Sequence, residues 1–330
     1  MNRRRQVLMA LGFGFLVLPV RSFAGTEKKV HRVACLWPGE RPSLPNPRSQ
    51  SEVLKRKLRE SGFVVGQNIQ FDENWVAGDL AILPSTVARI VAQKPDVIVA
   101  STTTMVRALH QATKKIPIVM TYVPDPVAAG FAASLARPGG NVTGLSDMSA
   151  DFTGKKIELI RAVAPRTARI GILVSKIANA SVNIANIEAG AKAFGWTVYT
   201  AEVSSPDKLE DAMLSLAKQK VTAVIVLGGP PLNYIRPQIA QQATQHRMFT
   251  VSQQRAYVDA GGLMSYGVNA PAQAAVAAAY VEKILKGARP EDLPIQQPTT
   301  LELVINRKTA TALGITISPE LLLRADEIIE

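Results

Sequence analysis

The stretch from residue 95 to 146 constrains the fold most, because it holds two consecutive strand-to-helix transitions and then a third strand entered through Pro138-Gly139-Gly140. Residues 97–100 (Val-Ile-Val-Ala) and 116–120 (Ile-Pro-Ile-Val-Met) are short, β-branched apolar runs bounded by turn residues, the pattern of strands buried on both faces of a parallel sheet. Polar residues and then an amphipathic helical pattern follow each run. Ligands of open α/β sheets sit outside the carboxyl ends of the strands. The loops at 101–104 and 121–125 therefore form one wall of an expected binding site.

The same alternation runs through the rest of the chain. Strands are predicted to begin at His31, Ile69, Asp96, Ile116, Asn141, Ala168, Thr197, Ala223, Met248 and Gly262. Helical patterns lie between them at 51–61, 83–93, 104–113, 127–136, 151–163, 182–194, 206–219, 235–246 and 271–286. Repeated βα units call for an α/β architecture of parallel sheets with right-handed crossovers and helices on both faces. The strands could make one large sheet or two smaller ones, and the expected break lies near Gly144-Leu145-Ser146.

The first residues read differently. Arg3-Arg4-Arg5 precede an apolar segment at 7–18, and Ser22-Phe23-Ala24 before Gly25 supplies small residues around a cleavage point. This predicts a secretory signal peptide over residues 1–24. Its apolar core is about 12 residues, short of the roughly 20 that span a bilayer as a helix. Arg4-Arg5-Gln6-Val7-Leu8 also resembles a twin-arginine signal, so both that route and the general secretory route stay open. The expected location is the periplasm.

Cys35 is the only cysteine, which excludes an intramolecular disulfide, and its apolar neighbours predict a buried, inert thiol. The formal charge is +12; loss of Arg3, Arg4, Arg5 and Arg21 with the leader would leave +8. The basic residues are scattered singly or in pairs, without aromatic interleaving or a helix-turn-helix, so nucleic acid is not an expected partner. A hydrophobic share of 47% with 19% charged residues fits a globular chain able to build two cores.

The string Pro95-Asp96-Val97-Ile98-Val99-Ala100, its Thr-rich turn, and the run from Ala136-Arg137-Pro138-Gly139-Gly140-Asn141-Val142-Thr143-Gly144 are similar to bacterial ABC-transporter solute-binding proteins of the tryptophan/tyrosine-type and related uptake systems. The tail around Ile305-Asn306-Arg307-Lys308 and Leu321-Leu322-Leu323-Arg324-Ala325-Asp326-Glu327 resembles that family's tail. The resemblance implies a type I periplasmic binding fold: two Rossmann-like lobes with parallel sheets, joined by a multi-strand hinge. It implies lobe 1 over 30–144 plus 266–295 and lobe 2 over 145–265 plus 296–330. The strand near 263–266 and the Ala-rich helix after it would return to lobe 1, and the tail after Pro298 to lobe 2.

On that frame the candidate ligand contacts are the strand ends of both lobes. Ser101, Thr102 and Thr103 offer hydroxyls and first-turn amides to a small anion, or one of them simply caps the helix. Tyr122 can stack on a ligand and present its hydroxyl. Asp125 before Pro126 reads first as a helix cap. Trp37 either lids the core or walls the cleft, and Ser146 and Asp147 sit at the expected break between lobes. In the second lobe the candidates are Ser175, Gly228, Gly229 and Gln253, with Lys176 either paired or in solvent. Relatives often carry Asn-Pro near Ser175 and a glycine in the turn at 101–103; both departures put those contacts in question.

No nucleophile elbow, Cys-x-x-Cys or His-Glu-x-x-His is present, and His31, His110 and His246 have no metal spacing. The expectation is a protein that is not an enzyme, needs no cofactor or metal, and works as a monomer. It would take a small molecule, an amino acid (aromatic above all) or small carboxylate, and hand it to an ABC permease with its ATPase. A sensory binding protein reading the same closed lobes, and an exported α/β enzyme, are the alternatives.

Overall fold

The computed structural model describes residues 29–41, 46–147, 152–175, 181–229, 231–299 and 301–330. The expected leader, Lys176 and Asp151 lie outside the described residues. The first sheet comprises β1 (His31–Trp37), β2 (Ile69–Trp75), β3 (Val97–Ser101), β4 (Ile118–Val123) and β5 (Val142–Ser146). They run parallel in the order β2-β1-β3-β4-β5. The second sheet comprises β6 (Arg169–Ser175), β7 (Thr197–Val203), β8 (Ala223–Val226), β9 (Phe249–Ser252), β10 (Met264–Val268), β11 (Leu301–Asn306) and β12 (Glu327–Ile329). Its order is β12-β11-β10-β9-β8-β6-β7. Both sheets therefore repeat one winding, in which the chain starts at an inner strand, steps outward once, and returns to the other side.

Period-two alternation distributes each inner strand between two cores. In β1, Ala34 and Leu36 enter one hydrophobic cluster while Val33, Cys35 and Trp37 enter another on the opposite face. In β6, Ile170, Ile172 and Val174 go to one side and Leu173 to the other. The helices supply the covers. α1 (Gln50–Glu60) puts Leu54 and Leu58 against Val281 and Ile284 of α9 (Ala270–Leu285), over the first sheet. Full burial of each such side chain contributes about 1.5–3 kcal/mol. α2 (Leu83–Ala92) and α3 (Thr103–Ala112) cover the other face with Val87, Ile90, Met105 and Leu109. In the second lobe, α4 (Thr153–Val163) and α5 (Ser181–Lys192) lie on one face, α6 (Leu209–Lys218) and α7 (Arg236–Gln245) on the other.

The chain passes between the sheets after β5, again between β10 and α9, and a third time before β11. Asn269 starts α9 by accepting the Ala272 N–H at 2.8 Å. Gln296 still pairs with Leu145 of β5 before the chain leaves for β11.

Four expectations need correction. The strand near 263–266 does not rejoin the first lobe: β10 pairs with β9 and β11, so Tyr266 through Val268 belong to the second sheet, and the return to the first starts with α9 and continues through Leu293 and Ile295. Leu145 and Ser146 in turn belong to β5 and not to the second lobe. The second sheet is not wholly parallel, because β10 and β11 pair antiparallel. The helix expected at 127–136 is absent. Asp125 accepts the Val127 and Ala128 amides and closes one turn, but Gly130 then takes φ 76° and the Leu135 carbonyl accepts from Ile295 of the returning chain. A long-range strand-like bond wins there over local helix propensity.

Candidate ligand cleft between the lobes

Winding direction reverses in the first sheet between β1 and β3, the position where open α/β sheets leave a crevice. Trp37 ends β1 and Ser101 ends β3, so both stand at this switch point. The next strand is irregular: the β4–β5 register shifts between Met120 and Val123, and within the shift Tyr122 takes φ 53°. Thr102, at the neighbouring strand end, takes φ 73°. Two left-handed non-glycine residues cost about 1–3 kcal/mol each, a strain that collects at functional sites. Gly144 faces the irregularity with φ 123°, and a Cβ there would overlap the Met120 backbone.

Two adjoining cavities of about 860 and 1080 Å³ open between the lobes. They share Pro38, Thr102, Tyr122, Asp147, Asn233, Gln253 and Gln254. The first continues along Trp37, Trp75, Ser101, Arg236 and Glu302; the second along Thr103, Ser146, Gly228 and Gly229. The Trp37 and Trp75 rings lie 6.0 Å apart, tilted by 41°, and form an aromatic wall. Both indole Nε1 atoms are buried without a partner among the described residues, as are Ser146 Oγ and Arg236 Nε. Buried polar atoms are rarely left so, and a cluster of them beside a cavity is what a polar ligand would satisfy.

Ser175 is the one expected contact that the structure places elsewhere. It is buried at the end of β6 and lines neither cavity. Gly228 is not a bare patch of backbone either: a Cβ there would come within 3.2 Å of Asn233 Oδ1 and Gln254 Nε2, so the glycine makes room for these two side chains.

The cleft's charges are arranged around Tyr122. Burial raises its phenol above the ordinary range, reinforced by the Asp147 and Glu302 carboxylates beside it, so it is a neutral hydroxyl. Burial also raises Glu302, against the hydrogen bond that Asn269 Nδ2 donates to it at 2.7 Å. Lys156 of α4 is 2% exposed; burial pushes it down to about 8, while Asp147 opposes the shift. Among the described residues no group of three His, Cys, Asp or Glu could hold a metal ion.

Contacts across the cleft show the lobes drawn together. The Tyr234 hydroxyl donates to the Pro38 carbonyl at 2.5 Å, and its ring rests on Gly78, where any side chain would overlap it. Glu327 accepts from Arg255 of α8 (Arg255–Asp259) at 2.5 and 2.6 Å and from Arg48 of the first lobe at 3.0 Å. Those bonds, Arg255 foremost, lower the Glu327 carboxyl to about 2.

The family model for ABC transporter substrate binding proteins matches residues 40–329. The chain belongs to this family. A tyrosine-binding protein of Clostridioides difficile is 29% identical over 281 residues, 84% of this chain and 79% of the relative. Among solved structures, an ABC domain in complex with L-Trp from Streptococcus pneumoniae overlays with a TM-score of 0.81 at 28% identity, covering 91% of this chain and 99% of that one. A ligand-free, open substrate-binding protein with adhesive properties from Clostridium difficile covers the same shares at 25% identity but overlays at only 0.67.

In this substrate-binding protein several lining residues carried no signal that sequence reasoning used. Trp75 ends β2 and becomes visible as a candidate only once β2 is known to flank β1. Asn233, Tyr234, Arg236 and Gln254 follow irregular turns, and Glu302 lies in a tail strand that only the sheet order brings to the cleft.

Proposed function

We propose that this protein is the solute-binding component of an ABC importer, exported to the periplasm by its leader, and that it closes its lobes on a small molecule with an aromatic ring and a polar or charged end. Aromatic amino acids are the leading ligands. The observation that carries the reading is the seam of unpartnered buried polar atoms, two of them indole N–H groups, along a cleft at the switch point of the first sheet. The tyrosine-binding relative and the tryptophan-bound neighbour support the ligand class.

Binding works here as a population shift. A ligand touching both lobes has more contacts in the closed form than in the open one, and closure is favoured by that difference. The three chain crossings form the hinge. The closed monomer is the species that the permease and its ATPase recognise, and release into the permease accompanies reopening.

The test is a thermal-shift screen of the protein against amino acids, aromatic acids, nucleosides and small carboxylates. A ligand at 100 times its dissociation constant stabilises the native state by about 2.7 kcal/mol. An upward shift with L-tyrosine or L-tryptophan is the expected result. No shift with any aromatic amino acid removes that ligand class.

A further inference from the structure

Four arginines line the first cavity, and three already have a carboxylate: Arg48 and Arg255 share Glu327, and Arg56 lies 4.0 Å from Glu60. The fourth, Arg236, has no carboxylate partner among the described residues. Among the described residues its Nε is buried and unpartnered, its Nη2 lies 3.5 Å from Gln254 Oε1, and the Tyr257 side chain gives the guanidinium a further neutral hydrogen bond. The guanidinium lies 5.2 Å over the Tyr257 ring, and the Tyr257 hydroxyl donates to Asn233 Oδ1 at 3.0 Å. Tyr257 is 3% exposed, so the platform beneath the cation is itself held in place. Gly228 leaves room beside it for Asn233 and Gln254.

A desolvated cation without an anion is costly, and a planar guanidinium presents paired donors that match a carboxylate. A stacked, pre-positioned fork facing a cavity is what carboxylate capture needs. We propose that Arg236 is the anion-binding residue of the cleft, and that the ligand carries a carboxylate which docks on its guanidinium from the second lobe. The inference rests on the cleft being the solute site, and it assigns the ligand's acidic end to α7. Burial lowers the guanidinium's pKa from its ordinary value but leaves it charged at neutral pH.

The test uses wild type, R236Q and R236K in calorimetric titrations with L-tyrosine, L-tryptophan and the matched amines tyramine and tryptamine. Wild type is expected to bind an amino acid better than its amine. R236Q is expected to bind the amino acid about 10-fold or more weakly, with R236K between and amine binding unchanged. Equal amino-acid affinity in R236Q overturns the inference. The ligand-free R236Q protein is expected to melt no lower than wild type; a lowered midpoint with full affinity in R236K would make the residue structural and overturn it as well. If wild type binds neither amino acid, the aromatic amino-acid reading fails, and Arg236 is judged on thermal shifts with benzoate, 3-phenylpropionate and succinate. A wild-type upshift lost in R236Q supports it. Absence of any upshift, or the same upshift in both proteins, overturns it.

Discussion

Replacing Tyr234 by phenylalanine removes one hydroxyl from a contact that exists only while the lobes are together. Its Oη donates across the cleft to the Pro38 carbonyl, which also accepts the Gly78 N–H at 3.0 Å. That second bond keeps the carbonyl satisfied in the variant, so the loss is that of one neutral hydrogen bond, about 1 kcal/mol, and not the larger penalty of an orphaned acceptor. The ring keeps its seat on Gly78. Since the open form lacks the bond, the whole cost falls on closure, and closure is linked to binding. Ligand affinity is expected to fall by about 5-fold, while the melting point of the ligand-free protein stays the same. Calorimetric titration with the tightest ligand from the screen, beside a melt of the ligand-free protein, measures both. Unchanged affinity with a lowered melting point would refute the reasoning, because the bond would then persist independently of closure.

Gly144→Ala sets a Cβ against the Met120 backbone at φ 123°, where neither group can give way. It is expected to destabilise the protein by about 3 kcal/mol or more in chemical denaturation, and a loss under 1 kcal/mol would contradict the reading of the β4–β5 irregularity. Glu327, held at about 2 by Arg255 and Arg48, lies below its unfolded value of about 4.3. Its folded pKa is depressed, so its stabilisation is complete above the unfolded value and lost as pH falls from about 4.3 toward 2. Melting points from pH 6 to 3 should fall less steeply in E327Q than in wild type, and parallel slopes would remove the ion-pair cluster from the acid response.

Much of the scaffold was legible because it is local. β3 and β8 are apolar runs rich in β-branched residues and β1 is apolar from Val33 to Trp37, and each of these runs forms a strand buried on both faces. The Thr-rich turn and Tyr122 are recognisable as strand-end residues, since strand ends follow from the strands themselves. The limits are equally specific. Nothing in 127–136 announces that Leu135 will accept a bond from Ile295, about 160 residues away in a chain with only one path back to it.

Sequence alone therefore determined the βα alternation, the positions of β1 through β10 and the strand-end turns of the first lobe's cleft wall, but not the tail strands β11 and β12, because hydrophobic periodicity and turn chemistry act over a few residues. Tertiary structure decided which sheet β10 joins, that β11 runs antiparallel to it, and that Trp75, Arg236 and Glu302 meet Tyr122 at one cleft. Those outcomes depend on pairing between segments far apart in the chain, where many arrangements satisfy the same local pattern and only the packed sheets and the three crossings choose among them. The same holds for Gly228, whose missing side chain has meaning only beside Asn233 and Gln254.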